Sequence, residues 1–309
     1  MALRSKCAIA LVATVVLLAG SVPASASKPA PDVEGISGVV DTVAPETVIA
    51  PEVTDAGEFI AVSEQAQVTM PTDGTGDVVI EGAHGELSIG LPDETARADA
   101  GVAENGTVVY DTGTNVDLAV QVIEEGVRIQ TVLNDAAAPT EYRYELEGYT
   151  PVLLADGSVD LIASTQGRLQ VRAGGIAAPW AFDANGVVVP TRYRVDGDTL
   201  VQEVDHTAGE YAYPIVADPT ISLGWFVYIN YSAADVKRYW SGTTFLNKAA
   251  AAAACGLIAG APAAAVCGSI SGDWFSSIGN TFATAKKQGR GVQIALTYVA
   301  YVPVQWKVV

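Results

Sequence analysis

Thr191-Arg192-Tyr193-Arg194-Val195-Asp196-Gly197-Asp198-Thr199-Leu200-Val201 reads as two short strands, Tyr193–Val195 and Thr199–Val201, joined by Asp196-Gly197. A tight hairpin turn needs positive φ, which Gly and Asn adopt at low cost, so Asp-Gly or Asn-Gly between apolar runs is a strong local hairpin signal. The signal recurs upstream. Asp156-Gly157 joins Val152–Leu154 to Val159–Ile162, and Asn185-Gly186 joins Trp180–Phe182 to Val187–Val189. Between Phe59 and Asp218 further strand-like runs are Val78–Ile80, Leu87–Ile89, Thr107–Tyr110, Leu118–Val122, Val127–Val132 and Tyr142–Leu146. No helix of useful length is expected there. Short strands at this spacing predict an antiparallel β-sandwich over residues 59–218.

Outward from that region, the N-terminus carries Arg4 and Lys6, an apolar run Ala8–Gly20, and Ala24-Ser25-Ala26. This is the pattern of a secretory signal over residues 1–26, cleaved between Ala26 and Ser27. Cys7 leaves with it. Residues 27–58 hold Pro29, Pro31, Pro45 and Pro51 without sustained periodicity, so a disordered, mostly extended leader is expected. Release to the medium is the expected localisation.

Asp218-Pro219 is read as the end of the β-rich module, because a residue before proline is held extended. A small α+β domain over 219–309 is expected beyond it. Leu223–Asn230 reads as a strand. Ser232 reads as an N-cap, with Asp235 three residues on, opening a short helix to about Trp240. Lys248 and Asp273 bracket 24 uncharged residues, mostly Ala and Gly. Gly260-Ala261-Pro262 divides them into a helical hairpin, since Pro262 suits the first turn of a new helix. Val266, Ile270, Trp274, Ile278 and Phe282 put one apolar stripe on the second helix. Cys255 lies five residues before Gly260 and Cys267 five after Pro262. Both stand at one height above the turn, which predicts a disulfide. The alternatives are two free core cysteines, and, for the uncharged run, a membrane segment. Val292–Val308 reads as one or two strands around Pro303.

Charge separates the two parts. The chain carries −18 overall, and loss of Arg4 and Lys6 leaves 15 basic against 35 acidic side chains, net −20. Residues 219–309 hold seven basic and two acidic side chains, net +5, so residues 27–218 carry about −25. The acidic part argues against nucleic acid as a partner and for solubility. A basic part masked by an acidic one, and meeting an anionic surface, is the sharper reading.

Ala178–Gly186, Val189–Tyr193, Gly197–Val201 and Tyr213-Pro214-Ile215-Val216-Ala217-Asp218-Pro219, with Asn134–Thr140, resemble a module of secreted actinobacterial proteins of unknown function. The likeness covers roughly residues 85–220. Val227–Asn230 onward resembles one of the varied C-terminal domains that follow this module, with its cysteine-bearing Ala/Gly hairpin. The resemblance implies secretion and architecture, and no catalytic residue.

Little chemistry is legible beyond this. His206 follows Asp205, His84 lies between Gly82 and Gly85, and no G-x-S-x-G nucleophile turn exists. Both histidines read as loop residues. Asp156, Asp183, Asp196 and Asp198 sit where hairpin turns favour Asp. Asp183-Ala184-Asn185-Gly186 lacks the spaced ligands of a calcium loop. Two histidines and two mature cysteines make no zinc pattern. Gly174-Gly175 reads as a turn, and Trp180 and Tyr193 as core. The expectation is a secreted, non-enzymatic binding or interaction protein without cofactor or metal, meeting an envelope component or anionic membrane. The first alternative is a bacteriocin-like or toxin-like membrane-active C-terminal effector. The second is a hydrolase without an identifiable site.

Overall fold

The computed structural model describes residues 31–55, 57–83, 85–93, 98–240, 272–297 and 303–309. The protein is mainly β, built from antiparallel sheets. Among the described residues, β1 (Glu52–Val53), β2 (Phe59–Val62), β3 (Ala66–Met70), β4 (Asp77–Gly82) and β5 (Gly85–Gly90) form a meander of five strands. A larger sheet runs β11 (Thr150–Leu153), β12 (Val159–Gln166), β13 (Leu169–Ile176), β18 (Thr220–Tyr231), β9 (Gly126–Leu133), β8 (Val116–Ile123), β7 (Val108–Asp111) and β6 (Asp99–Val102). β14 (Ala181–Phe182) and β17 (Ile215–Ala217) join it at β9, and β19 (Val292–Thr297) and β20 (Pro303–Val308) extend it from β18. β10 (Glu141–Glu145), β16 (Thr199–Val204) and β15 (Thr191–Asp196) make a third sheet, in that order. Edges of different sheets cover one another: β11 lies against β15, and β5 against β10. That removes templates for intermolecular strand pairing.

The sheets face each other across one core. Met70, Ile80 and Leu87 of the meander meet Leu118, Ile129, Tyr142, Tyr144 and Leu200. The two tyrosines bury their hydroxyls with partners: Tyr144 Oη lies 2.9 Å from Thr131 Oγ1, and Tyr142 Oη donates to the Pro139 carbonyl at 2.7 Å. The hairpin glycines behave as the sequence requires, with φ of 88° at Gly157, 75° at Gly186 and 67° at Gly197. The β15–β16 hairpin closes on Gly197-Asp198, since Asp196 pairs with Thr199. After Asn185-Gly186, Val187–Val189 forms no strand; only Val188 bridges back, to Phe182.

Three differences from the sequence expectation have clear causes. Val33–Val43, expected within an extended leader, is a helix, α1. Asp32 caps it, accepting from the Gly35 N–H at 3.1 Å. Gly35 and Gly38 each weaken the helix by about 1 kcal/mol. Ile36 and Val40, buried against Val109, Ala119, Val132 and Val216, return about 1.5–3 kcal/mol each, so packing wins. Gly174-Gly175, read as a turn, lies inside β13. A Cβ at Gly174 would stand 2.6 Å from the Ser222 carbonyl oxygen, so glycine here permits β13 and β18 to approach closely. Thirdly, residues on both sides of Asp218-Pro219 run along one strand: Ile215–Ala217 pair with Leu133–Thr131, and Thr220–Ile221 with Arg128–Val127. Pro219 lacks an N–H, and its carbonyl accepts from Ile129 N–H at 2.9 Å. The peptide is buried there.

A second core lies on one face of β18 and β19. α2 (Ala233–Tyr239) and α3 (Gly272–Gln288) cover it. Ile278, Phe282 and Ala285 of α3 meet Val227, Ile229, Tyr231, Val292, Ile294 and Leu296. The stripe recurring every four residues is thus buried at Ile278 and Phe282; Val266 and Ile270 lie outside the described residues. Phe282 stands edge-on to Tyr231 at 5.0 Å and stacks on Trp240 at 5.7 Å. Ser232 and Asp235 form the expected capping box. Asp235 also pairs with Arg168, from the turn between β12 and β13, whose Nε is 3.0 Å away. The Arg168 hydrogen bond holds the Asp235 carboxyl at about 2, below the usual carboxylate range. Asp235→Ala removes a cap and a cross-element ion pair together. It is expected to cost about 2 kcal/mol, read by urea unfolding. A loss under about 0.5 kcal/mol would mean the pair holds nothing.

Cys255 and Cys267, the turn of the hairpin, Ala26, Ser27 and His84 all lie outside the described residues.

Candidate functional site

Among the described residues, a polar trough of about 430 Å³ lies on the face of β12, β13 and β18 opposite the second core. Its floor is Asp160 of β12, Arg172 of β13, and Ser222, Phe226 and Tyr228 of β18. Asp156 and Ser158 of the β11–β12 turn flank it, as do Gln305 and Lys307 of β20. Strand register assembles the floor: Arg172 pairs with Phe226, and Tyr228 with Ala295, which in turn pairs with Gln305. Side chains two residues apart share a face, so Phe226 and Tyr228 point together into the trough while Val227 and Ile229 point into the core.

Arg172 is fixed from several directions. Its Nε donates to Asp160 Oδ1 at 2.5 Å, and its Nη1 to the Gly224 carbonyl at 2.8 Å. Its guanidinium lies 5.8 Å from the Phe226 ring centroid, within cation–π range. Gly175 leaves it room, since a Cβ there would fall 2.1 Å from Nη2. Tyr228 hydrogen-bonds to Asp160, and burial first, then the Asp160 charge, pushes its hydroxyl up to about 12. It therefore stays protonated across the physiological range. The Ser158 hydroxyl donates to Asp156 Oδ1 at 2.6 Å and, with the Ser158 backbone N–H, holds the Asp156 carboxyl below its usual value. Ser222, Gln305 and Lys307 complete a lining that offers donors and acceptors at short spacing.

The residues singled out from the sequence are dispersed. His206 is buried. Its Nε2 donates to the Ala138 and Pro139 carbonyls at 3.1 and 3.2 Å, which leaves Nδ1 to accept from Tyr213 Oη at 2.8 Å. It ties two loops together. Asp183 is also buried. Its oxygens accept from the N–H groups of Asn185, Val187 and Ala212 at 2.8–2.9 Å, so the Ala212 bond above all lowers its carboxyl. Tyr193 is core, and Trp180 packs on the cluster under α1. Asp196 pairs with Arg143 at 3.1 Å. Among the described residues, no three His, Cys, Asp or Glu side chains gather to hold a metal ion. Every described arginine of the acidic part has a carboxylate partner, from Glu46 with Arg128 to Glu141 and Glu203 with Arg194.

The trough itself escaped the sequence reading. The available signal was Arg172, directly before Ala173 and two glycines, and Asp160 between Val159 and Leu161-Ile162. Their pairing is a property of register.

Under α1 lies a different polar layer. Asp41 accepts from Asn105 Nδ2 at 2.7 Å and from Gln121 Nε2 at 3.4 Å, and Arg128 reaches the Ala44 carbonyl at 3.3 Å. Gln130, on the same face of β9, is fully buried, and neither atom of its amide has a protein partner. Replacing a buried amide without partners by an apolar side chain of similar shape is stabilising. Gln130→Met is expected to gain about 1 kcal/mol, raising the melting temperature by about 2–4 °C. A loss of stability would place an ordered water on this amide.

No family model matches the chain, and no curated protein matches it. Among solved structures, a glycosyl hydrolase of the gh92 family, ccman5, is similar over 81% of this chain and 36% of its own, at 11% identity and a TM-score of 0.26. This chain thus spans about a third of that one, and a likeness at this level carries nothing about fold or activity.

Proposed function

We propose that the protein is a secreted, non-enzymatic binding protein of the cell envelope or medium, related to the secreted actinobacterial proteins that its Tyr213–Pro219 motif resembles. Residues 1–26 direct secretion and are removed between Ala26 and Ser27. The β-rich part is an antiparallel β-sandwich that continues through Thr220–Tyr231, and the C-terminal part carries a helical hairpin closed by Cys255–Cys267. The trough is the binding site. The observation that carries this reading is the convergence of Asp160, Arg172, Phe226 and Tyr228 with Gln305 and Lys307 on one open sheet face. A concave site with a few convergent polar groups is the default ligand site of a fold. A binding role is favoured over acid–base chemistry because Asp160 is tied to Arg172 and Tyr228, leaving no free base at its floor. It is favoured over membrane insertion because Ile278 and Phe282, two residues of the apolar stripe, are buried against β18 and β19. No helix among the described residues is long and apolar enough to cross a membrane.

The test is cosedimentation of the mature chain with insoluble cell-wall material, beside Ser222→Trp, which fills the trough. Retention of the wild type and at least tenfold weaker retention of the variant is expected. Equal retention of both would move the site elsewhere, and leakage of anionic vesicles by the mature chain would favour the effector reading.

A further inference from the structure

From the chemistry of the trough we infer that its ligand is a neutral oligosaccharide; this rests on the binding reading above. Charge comes first. The floor holds one acid and one base, Asp160 and Arg172, paired at 2.5 Å. The rim holds another of each, Asp156 and Lys307, close enough that the Lys307 charge acts on Asp156. The trough therefore carries no net charge, although residues 27–218 carry about −25. An anion would meet Asp156 and Asp160 beside each cation, and a cation would meet Arg172 and Lys307. Neither gains a charge partner that is not already shared.

Hydrogen-bonding capacity comes second. The Arg172 guanidinium, the Tyr228 hydroxyl and Asp160 are ordered by one another and by Gly224. Ser222 has only a 3.5 Å contact with the Gly175 carbonyl, and Gln305 and Lys307 are exposed. This mixture of donors and acceptors suits ligand groups that can both give and take a hydrogen bond. A hydroxyl does both, and a sugar presents several at this spacing. Third, Phe226 is only partly buried beside the polar groups, offering apolar surface to the C–H face of a ring. The volume of about 430 Å³ lies within the range of small-ligand sites, and the trough is open, so a chain can run through it.

The experiment is isothermal titration of the mature protein with maltotriose, chitotriose and mannotriose, beside trigalacturonate as an acidic probe and trialanine as a zwitterionic one. The neutral trisaccharides should include a binder whose affinity falls at least tenfold in Ser222→Trp and in Gln305→Ala/Lys307→Ala. The second variant changes only exposed side chains, so its fold is retained and its melting temperature checks this. Binding of trigalacturonate or trialanine, lost in Ser222→Trp while the neutral sugars do not bind, would overturn the sugar assignment and leave the trough as a binding site. No heat from any probe, with no change in cell-wall retention in Ser222→Trp, would overturn both.

Discussion

Gly126→Ala is expected to lower the unfolding free energy by more than about 3 kcal/mol, in the range that point mutations reach only through a named defect. Gly126 ends the two-residue hairpin loop Glu124-Glu125, pairing with Ile123. There β9 crosses under the start of β18. A Cβ at position 126 would stand 2.0 Å from the Ile221 carbonyl oxygen and 3.1 Å from Ser222 Cα. Both are backbone atoms, held by the Thr220–Arg128 and Ile221–Val127 pairs, so neither can rotate away. Relief requires β18 to lift from β9, which also displaces Ser222 from the trough. Glu125→Ala, one residue earlier and exposed, is the control and should stay within about 0.5 kcal/mol of wild type. Urea unfolding of both variants decides the matter; equal midpoints would show that the crossing is loose.

The second large effect is a pH dependence. Asp218 is fully buried. It accepts from the Trp180 N–H at 3.1 Å and from the Thr220 hydroxyl at 2.7 Å. Burial nonetheless pushes its carboxyl from 3.8 up to about 6. A raised folded-state value means that the native state holds the proton more tightly than the unfolded chain. Its contribution to stability is complete below pH 4 and is lost as pH rises to 6. A two-unit shift corresponds to about 3 kcal/mol. Asp235, lowered to about 2, acts in the opposite direction between pH 4 and 2. Asp218→Asn keeps an oxygen for the Trp180 N–H and offers an amide hydrogen to Thr220 Oγ1. The variant should match wild type near pH 4 and exceed it by up to about 3 kcal/mol at pH 7. Part of the wild-type slope should persist, because burial also raises Asp117. An unchanged slope would mean that Asp218 is not the titrating group.

The hairpins were legible because their signals are local. Asp156-Gly157 and Asp196-Gly197 announce their turns, and the alternation in Tyr142–Leu146 announces β10. The Ser232–Asp235 capping box was equally local. Helix α1 was hidden because Gly35, Gly38 and four valines argue against a helix, while the sheet face that stabilises it lies about 70–180 residues further along the chain. β13 was hidden because Gly174-Gly175 imitates a turn, and its true cause is the Ser222 backbone of a strand some 50 residues away. The trough follows the same rule. Asp160 and Arg172 are unremarkable in sequence, and only the register of β12, β13 and β18 makes them a pair beneath Tyr228. Local chemistry wrote the turns and caps, and long-range packing wrote the site.

The most direct test of the trough as the binding site is amide chemical-shift mapping of labelled residues 27–309 during titration with a soluble digest of cell-wall polysaccharide. Shifts concentrated at Ser158, Arg172, Ser222, Phe226, Tyr228 and Lys307 are expected, with His206 and Asp183 unmoved. Shifts confined to another face, or none at saturating digest, would contradict it.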